Sequence, residues 1–260
     1  MSSIVVGIGR SDSAPAVAAV GDRLASSLGL QLKLVHATTV TEPAGELLER
    51  ADLRRGIGSR RCVVIGGPTD ALPRVALEND AVLLVIGTGT SKPIRELFHR
   101  SRANAVVRAA SQPVVLVSPA AAERERSPRP TVPSAIVCAI DQSPEARRVA
   151  EVAAALAGAT LTRLVLVHAA SPNAHRPIED LLPHQDCDIA TRGVDGRPSE
   201  WLEVIGAEEN AAVAVINTNE QKARSVAAWA SRPVLVVPPN AASEATDTLT
   251  RLRSAAYEAR

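Results

Sequence analysis

Two stretches of this chain repeat one another in order and spacing: SIVVGIGRSDSAPAVAAVGDRLASSLGLQLKLVHA from Ser3, and SAIVCAIDQSPEARRVAEVAAALAGATLTRLVLVHA from Ser134. Each reads as a strand, a short polar turn, an Ala-rich helix and a second strand that closes on Leu-Val-His-Ala, at Leu34 to Ala37 and again at Leu166 to Ala169. A second pair of blocks follows in the same order. GGPTDALPRVALENDAVLLVIGT from Gly66 matches GRPSEWLEVIGAEENAAVAVINT from Gly196, with Pro68 and Pro198 at the first helical position and Asp70 and Glu200 in the first turn. Proline loses nothing there, and the helix dipole favours an acid. Finally RAASQPVVLV matches AAWASRPVLVV. Three collinear blocks make an internal duplication, and a duplicated chain of 260 residues is expected to form two units of similar size.

The strands are unbroken aliphatic runs, AVLLVIG, PVVLV and PVLVV, and not the alternating pattern of a half-solvated sheet. Such runs belong to strands covered on both faces, and the helices between them imply βαβ units with a parallel sheet and right-handed crossovers. The segment SPAAAERERSPRPTVP, Ser118 to Pro133, is rich in proline and charge and reads as a linker that does not pack. After Pro239 the chain has helical composition but few large apolar residues, so a frayed surface helix or a disordered tail is expected. The copies are unequal. ELLERADLRRGIG supplies a credible helix between the second and third strands of the first, where the second has a segment broken by Pro172, Pro177 and Pro183. The second copy also lacks most of the segment that follows its fourth strand.

Composition narrows the function. Lysine and arginine total 29 against 28 acids, a net charge of +1, so no long-range field draws the molecule to nucleic acid or anionic lipid. Aromatic residues are 2% of the chain, too few for a platform on which bases stack. Cys62, Cys138 and Cys187 are odd in number and lack CxxC spacing, which points to buried thiols in a reducing compartment. No charged leader precedes a long apolar run and no window is long enough to span a membrane, so a cytoplasmic protein is expected.

Motifs exclude more than they assign. GIGRSD, Gly7 to Asp12, imitates a dinucleotide fingerprint, but Asp12 stands at the third glycine and the second strand ends in His36 without an acid for a ribose. GTGTSK is no Walker loop, because no glycine precedes Lys92. His184 and Cys187 are three apart, near His175, but no second tight pair completes a tetrahedral metal set. His36 and His168 at repeated strand ends fit local hydrogen bonds better than catalysis. Neither a Gly-x-Ser-x-Gly elbow nor a His-x-Gly-His motif occurs, which argues against a hydrolase or a nucleotidyl transferase.

The order of the blocks resembles the universal stress protein family in a tandem arrangement, over residues 3–118 and 134–237. In that family a fourth strand ends in glycine, a second glycine follows, and a Gly-Ser opens the last helix; backbone amides there hold ATP phosphates. An aspartate ending the first strand and the residue after the histidine ending the second contact the nucleoside. Carried over, Gly87 matches the first glycine and Ser101 the serine, while Thr90 and Arg100 stand where glycines belong and Gly9 where the aspartate belongs. Ala37 fills the nucleoside position. In the second half Asp141 matches the aspartate, Asn217 replaces the glycine, and the rest of the loop is missing. A β-branched threonine at positive φ costs on the order of 1 kcal/mol or more, so Thr90 implies a reshaped or lost loop, for which Gly89 supplies a flexible neighbour. Lys92, Arg95, Arg100 and Arg102 crowd a helix N-terminus, which is unfavourable without an anion. A solvated basic face over an empty cleft is the alternative.

The resemblance therefore implies an α/β fold of two Rossmann-like three-layer α/β/α domains, each with a five-stranded parallel sheet, arranged as an intrachain pseudo-dimer in which the last strands pair. Their expected bounds are 1–119 and 134–239, with a linker at 120–133 and a tail at 240–260. The implied function is that of a stress-response regulator and not an enzyme. Its first half would keep weakened adenine-nucleotide binding at Ala37, Gly87, Thr88, Gly89, Thr90, Arg100, Ser101 and Arg102. ATP, weakly held or absent, is the implied cofactor, with no metal beyond nucleotide-bound Mg. No nucleic acid or membrane partner is expected, the protein partner is unspecified, and a homodimer is left open. The competing expectation is a nucleotide-independent scaffold with both clefts degenerate.

Overall fold

The computed structural model describes residues 2–39, 48, 60–89, 102–127, 133–170, 187–217, 230–238, 241 and 243–258. Its strands are β1 (Ser3–Gly7), β2 (Gln31–Thr38), β3 (Arg60–Ile65), β4 (Ala81–Gly87), β5 (Val114–Val117), β6 (Ala135–Ala139), β7 (Arg163–Ala169), β8 (Ile189–Val194), β9 (Ala211–Asn217) and β10 (Val234–Val237). The helices are α1 (Ala14–Leu28), α2 (Pro68–Glu78), α3 (Arg102–Ala109), α4 (Pro119–Arg126), α5 (Ala146–Thr160), α6 (Leu202–Glu208) and α7 (Ser243–Glu258), with a 3-10 turn at Pro198–Trp201 leading into α6.

All ten strands form one sheet in the order β3-β2-β1-β4-β5-β10-β9-β6-β7-β8. The pairs are parallel except at the centre, where β5 and β10 run antiparallel with Val115 opposite Leu235. β1, β5, β6 and β10 are buried along their whole length and β4 and β9 at all but one position, as their unbroken aliphatic runs require, whereas β3 and β8 at the two ends are partly exposed. Helices cover both faces. One apolar core gathers α1, α4, α5 and α7 with residues such as Ile4, Val115, Ile136 and Leu235. The opposite core gathers α2, α3 and α6 with Val5, Leu84, Val137 and Val234. Each core crosses the central seam without interruption.

Two sequence expectations change. The segment read as a linker packs over its first part: Ser118 caps α4, its Oγ accepting from Ala121 N at 3.0 Å, and Pro119 opens the helix. Ala121 and Ala122 turn inward, 1% and 0% exposed, while the charged residues take the outer face and Glu125 pairs with Arg23 at 3.0 Å. Net composition concealed this because two alanines suffice to seat a helix of two turns. The C-terminal segment likewise forms α7, docked by Leu249, which is fully buried. A Cβ on Gly158 of α5 would meet Arg253 Cδ at 2.2 Å, so the two helices lie close where the alanine-rich surface of α5 is flat. The helix read in ELLERADLRRGIG lies outside the described residues, apart from the helical, buried Leu48, as does the segment after β9.

Candidate functional site

β1 ends between β2 and β4, which run on past it by three residues and one residue. Gly7 pairs with Val35 on one side and Ile86 on the other, so Ile8 leaves the sheet between His36 and Gly87, which are still paired to β3 and β5. A cleft of about 1040 Å³ opens there, bordered by Gly9, Arg10 and Ser11 after β1, His36 to Thr39 on β2, Gly67 to Thr69, Gly87 to Gly89, and Arg102. The first residues of three helices line it, Ala14 of α1, Pro68 of α2 and Arg102 of α3. Helix N-termini present unpaired N–H groups and the positive end of the dipole, so the cleft favours an anion. Its floor is apolar, formed by Ile8, Val35, Ala37, Leu72 and Ile86.

Local geometry explains the glycines. A Cβ on Gly7 would lie 2.7 Å from Leu72 Cδ1, so the strand end must be bare for α2 to close over it. Gly89 adopts φ +72° with nothing within 4 Å of the Cβ it lacks, and the left-handed turn in the described part of this loop falls there. Thr88 between them is 5% exposed; its N–H donates to Val117 O at 3.0 Å, while its Oγ1 is buried without a hydrogen-bond partner among the described residues. Gly9, where the resemblance calls for an aspartate, also has open space around its missing Cβ. Ala37, Gly87, Thr88, Gly89 and Arg102 are thus gathered around one cleft. Thr90, Arg100 and Ser101 lie outside the described residues, as do Lys92 and Arg95.

His36, Arg10 and the Gly67–Thr69 entry to α2 border the same cleft but were not among the residues expected there. The repeated Gly-x-Pro, Gly66 to Pro68 and Gly196 to Pro198, was the sequence signal that could have pointed to that third helix entry. His36 Nδ1 lies 2.8 Å from Ile8 O, the local hydrogen bond expected of it.

The equivalent place in the second half holds a far smaller hollow among the described residues. The hollow bordered by Asp141, Ser199 and Asn217 has a volume of about 10 Å³, room for one water at most. Asn217 Nδ2 donates to Ser143 Oγ at 2.9 Å, and Asp141 Oδ1 accepts from Ser143 N at 3.0 Å. The aspartate that matched the family pattern is engaged in its own turn. Burial, with the Asp141 charge adding to it, pushes the neighbouring Cys138 thiol far above the ordinary range, so it is no nucleophile at neutral pH. Among the described residues no group of three or more His, Cys, Asp or Glu side chains could hold a metal ion. No helix among them is long and apolar enough to cross a membrane.

The chain is an α/β protein with a mostly parallel sheet and a glycine-bordered crevice at its strands' C-terminal ends. The family model described as Universal stress protein family matches residues 40–118. Three solved structures extend the likeness to nearly the whole chain. A universal stress protein from Archaeoglobus fulgidus DSM 4304 is 13% identical with a TM-score of 0.63, the match covering 91% of this chain and 96% of that one. A protein of unknown function from Pseudomonas aeruginosa PAO1 is 17% identical with a TM-score of 0.61, covering 98% and 97%. A candidate universal stress protein from Pseudomonas aeruginosa UCBPP-PA14 is 18% identical with a TM-score of 0.62, again covering 98% and 97%. At these identities the likeness establishes the fold. No curated protein matches the sequence.

Proposed function

We propose that this chain is a non-enzymatic stress-response protein built as a tandem of two universal-stress-type domains, with one working ligand cleft. The domains are residues 1–119 and 134–239, and the antiparallel β5–β10 pair joins them as an intrachain pseudo-dimer. The first half binds an adenine nucleotide, weakly, with its phosphates at Gly87 to Thr90, Ser101 and the start of α3, and its nucleoside over Ala37. The observation that carries this reading is the contrast between the clefts, about 1040 Å³ in the first half and about 10 Å³ in the second. Any Mg enters with the nucleotide.

Charge dominates the binding. Gly9 offers the nucleoside no carboxylate, whereas Arg10 and Arg102 border the cleft. Ionic contacts to phosphate at such an exposed rim are individually weak and are screened over about 8 Å at physiological ionic strength. Calorimetric titration of the whole chain with ATP and Mg²⁺ should give one site per chain, with affinity falling severalfold from low to moderate salt. Reversal of Arg100 and Arg102 to Glu should weaken ATP further, Asp141→Ala should leave it unchanged, and adenosine should hardly bind. The competing reading is a nucleotide-independent scaffold, favoured by Gly9 in the first cleft and the small hollow in the second half. An absence of ATP binding at low salt would select it.

A further inference from the structure

A separate hollow of about 320 Å³ lies at the other end of the sheet, where β1, β2 and β3 begin. Lys33 on β2, Arg60 at the start of β3, and Glu78, Asn79 and Asp80 between α2 and β4 border it. Strand alternation puts Lys33 with Val35, and Arg60 with Cys62 and Val64, on the face that packs toward α2. Lys33 and Arg60 are register partners, and like charges side by side on neighbouring strands repel.

The two halves treat their charges here differently. α6 is followed by Glu209, whose carboxylate accepts from Arg192 Nη2 at 2.9 Å and from Arg163 Nη1 at 3.4 Å, and Arg163 Nε lies 3.8 Å from Asp188. That half neutralises its cations with its own acids. The matching residue after α2 is Asn79. Its Nδ2 donates to Val75 O at 2.7 Å, which turns Oδ1 to Lys33 Nζ, so Lys33 meets an amide without charge. Arg60 makes no hydrogen bond or ion pair among the described residues. Glu78 is held by Arg74 at 3.1 Å, whereas the Asp80 carboxylate has no such partner among the described residues. Asp80 leads into β4, three strand spacings from β3, roughly 14 Å along the sheet. A cation and a carboxylate therefore border one hollow without pairing with each other.

We propose that this hollow binds a small zwitterion, its carboxylate between Arg60 and Lys33 and its ammonium group toward Asp80 and the end of α2. The ligand's carboxylate takes the part that Glu209 plays in the second half. Arg60 brings a fork of donors matched to a carboxylate, and Lys33 keeps two of its three ammonium protons after Asn79. The C-terminal end of a helix favours a cation, which suits the ligand's other end. A dianion would set its second carboxylate against Asp80, and a dication its second ammonium against Arg60 and Lys33, so the arrangement selects one charge of each sign. The site is independent of the nucleotide cleft, which lies at the strands' C-terminal ends.

Three four-carbon probes separate charge from size: 4-aminobutanoate, butanedioate and 1,4-diaminobutane, each titrated into the whole chain at low salt and followed by amide chemical shifts. 4-Aminobutanoate should bind about fivefold more tightly than either of the others and move the resonances of Lys33, Arg60 and Asp80. Arg60→Gln should weaken it about fivefold, the upper range for an exposed ionic contact. Asn79→Glu supplies the carboxylate that the second half has, and should weaken it as much. Asp80→Asn should weaken 4-aminobutanoate and strengthen butanedioate, inverting their order, a result that loss of folding does not imitate. Absence of 4-aminobutanoate binding to the native protein, equal affinity for the three probes, or binding unmoved by Arg60→Gln would overturn the assignment, and none of these results bears on ATP at the other end of the sheet.

Discussion

Single side chains distinguish the two halves of the chain. Arg232 is 1% exposed; its Nη1 reaches Glu203 O at 3.2 Å and Glu203 Oε2 at 3.4 Å, and the same carboxylate accepts from Ser231 N at 2.9 Å. A Cβ on Gly206 would stand 2.8 Å from Arg232 Nη1, so the glycine makes room for the guanidinium. The first copy has Gln112 where the second has Arg232. Gly206→Ala should therefore destabilise the protein by about 1–3 kcal/mol, an overpacking cost. The same change in an Arg232→Gln background should cost less, which paired urea titrations would show. Cys138 makes a second residue-scale claim. Its folded pKa is raised from an ordinary 9.0 by burial first and Asp141 second, so its contribution to stability is whole below pH 9 and is lost as pH rises beyond it. Above that point the unfolded chain releases a proton that the folded chain keeps, and stability falls by about 1.4 kcal/mol per pH unit from this group. Cys138→Ala should remove that part of the slope between pH 9 and 10.5; parallel stability profiles for the two proteins would contradict it.

At the scale of elements, α4 and α7 bind the copies' surfaces together. Ser118 caps α4 and also donates from Oγ to Ala230 O at 2.6 Å, just before β10. Arg126 at the other end of α4 donates to Asp12 O at 2.6 Å, in the turn that leaves the cleft. Loss of a cap costs about 1 kcal/mol and an orphaned buried carbonyl about 1–3 kcal/mol, so Ser118→Ala should cost roughly 2–3 kcal/mol by chemical denaturation. α7 owes its place to Leu249, whose side chain has no exposed surface. Leu249→Ala should cost about 2–4 kcal/mol and loosen the helix, seen as faster amide exchange across residues 243–258, whereas exchange already fast in the parent would refute the docking.

The whole molecule is one sheet with two continuous cores. Val115 and Leu235 at the seam are fully buried, and each face's apolar cluster draws side chains from both copies. An edge strand this apolar is an aggregation hazard when unpaired, and the β5–β10 pairing removes that hazard at both copies' ends at once. Strong coupling follows. Urea unfolding followed by tryptophan fluorescence, which reports the second copy through Trp201 and Trp229, and by far-ultraviolet circular dichroism, which reports both, should give coincident single transitions. Two separated transitions would show that the copies unfold independently.

The repeat blocks, the aliphatic runs and the Gly-x-Pro helix entries determined the strand and helix order, because local periodicity and helix-end chemistry are written in neighbouring residues. The unequal clefts were partly legible too, since Asn217 stood where Gly87 stands in the first copy. What the tertiary structure alone decided was packing between residues remote in sequence. Ala121, Ala122 and Leu249 found a core whose composition nearby gave no sign of it, and Asp141, the better match to the family pattern, proved committed to Ser143 beside a hollow of about 10 Å³. His36 and Arg10 came to one cleft with Gly87 because β2, β1 and β4 lie side by side, although the chain visits β1 first and β4 last. Strand order is set by how helices cover the sheet, a property of the folded whole that no window of sequence contains.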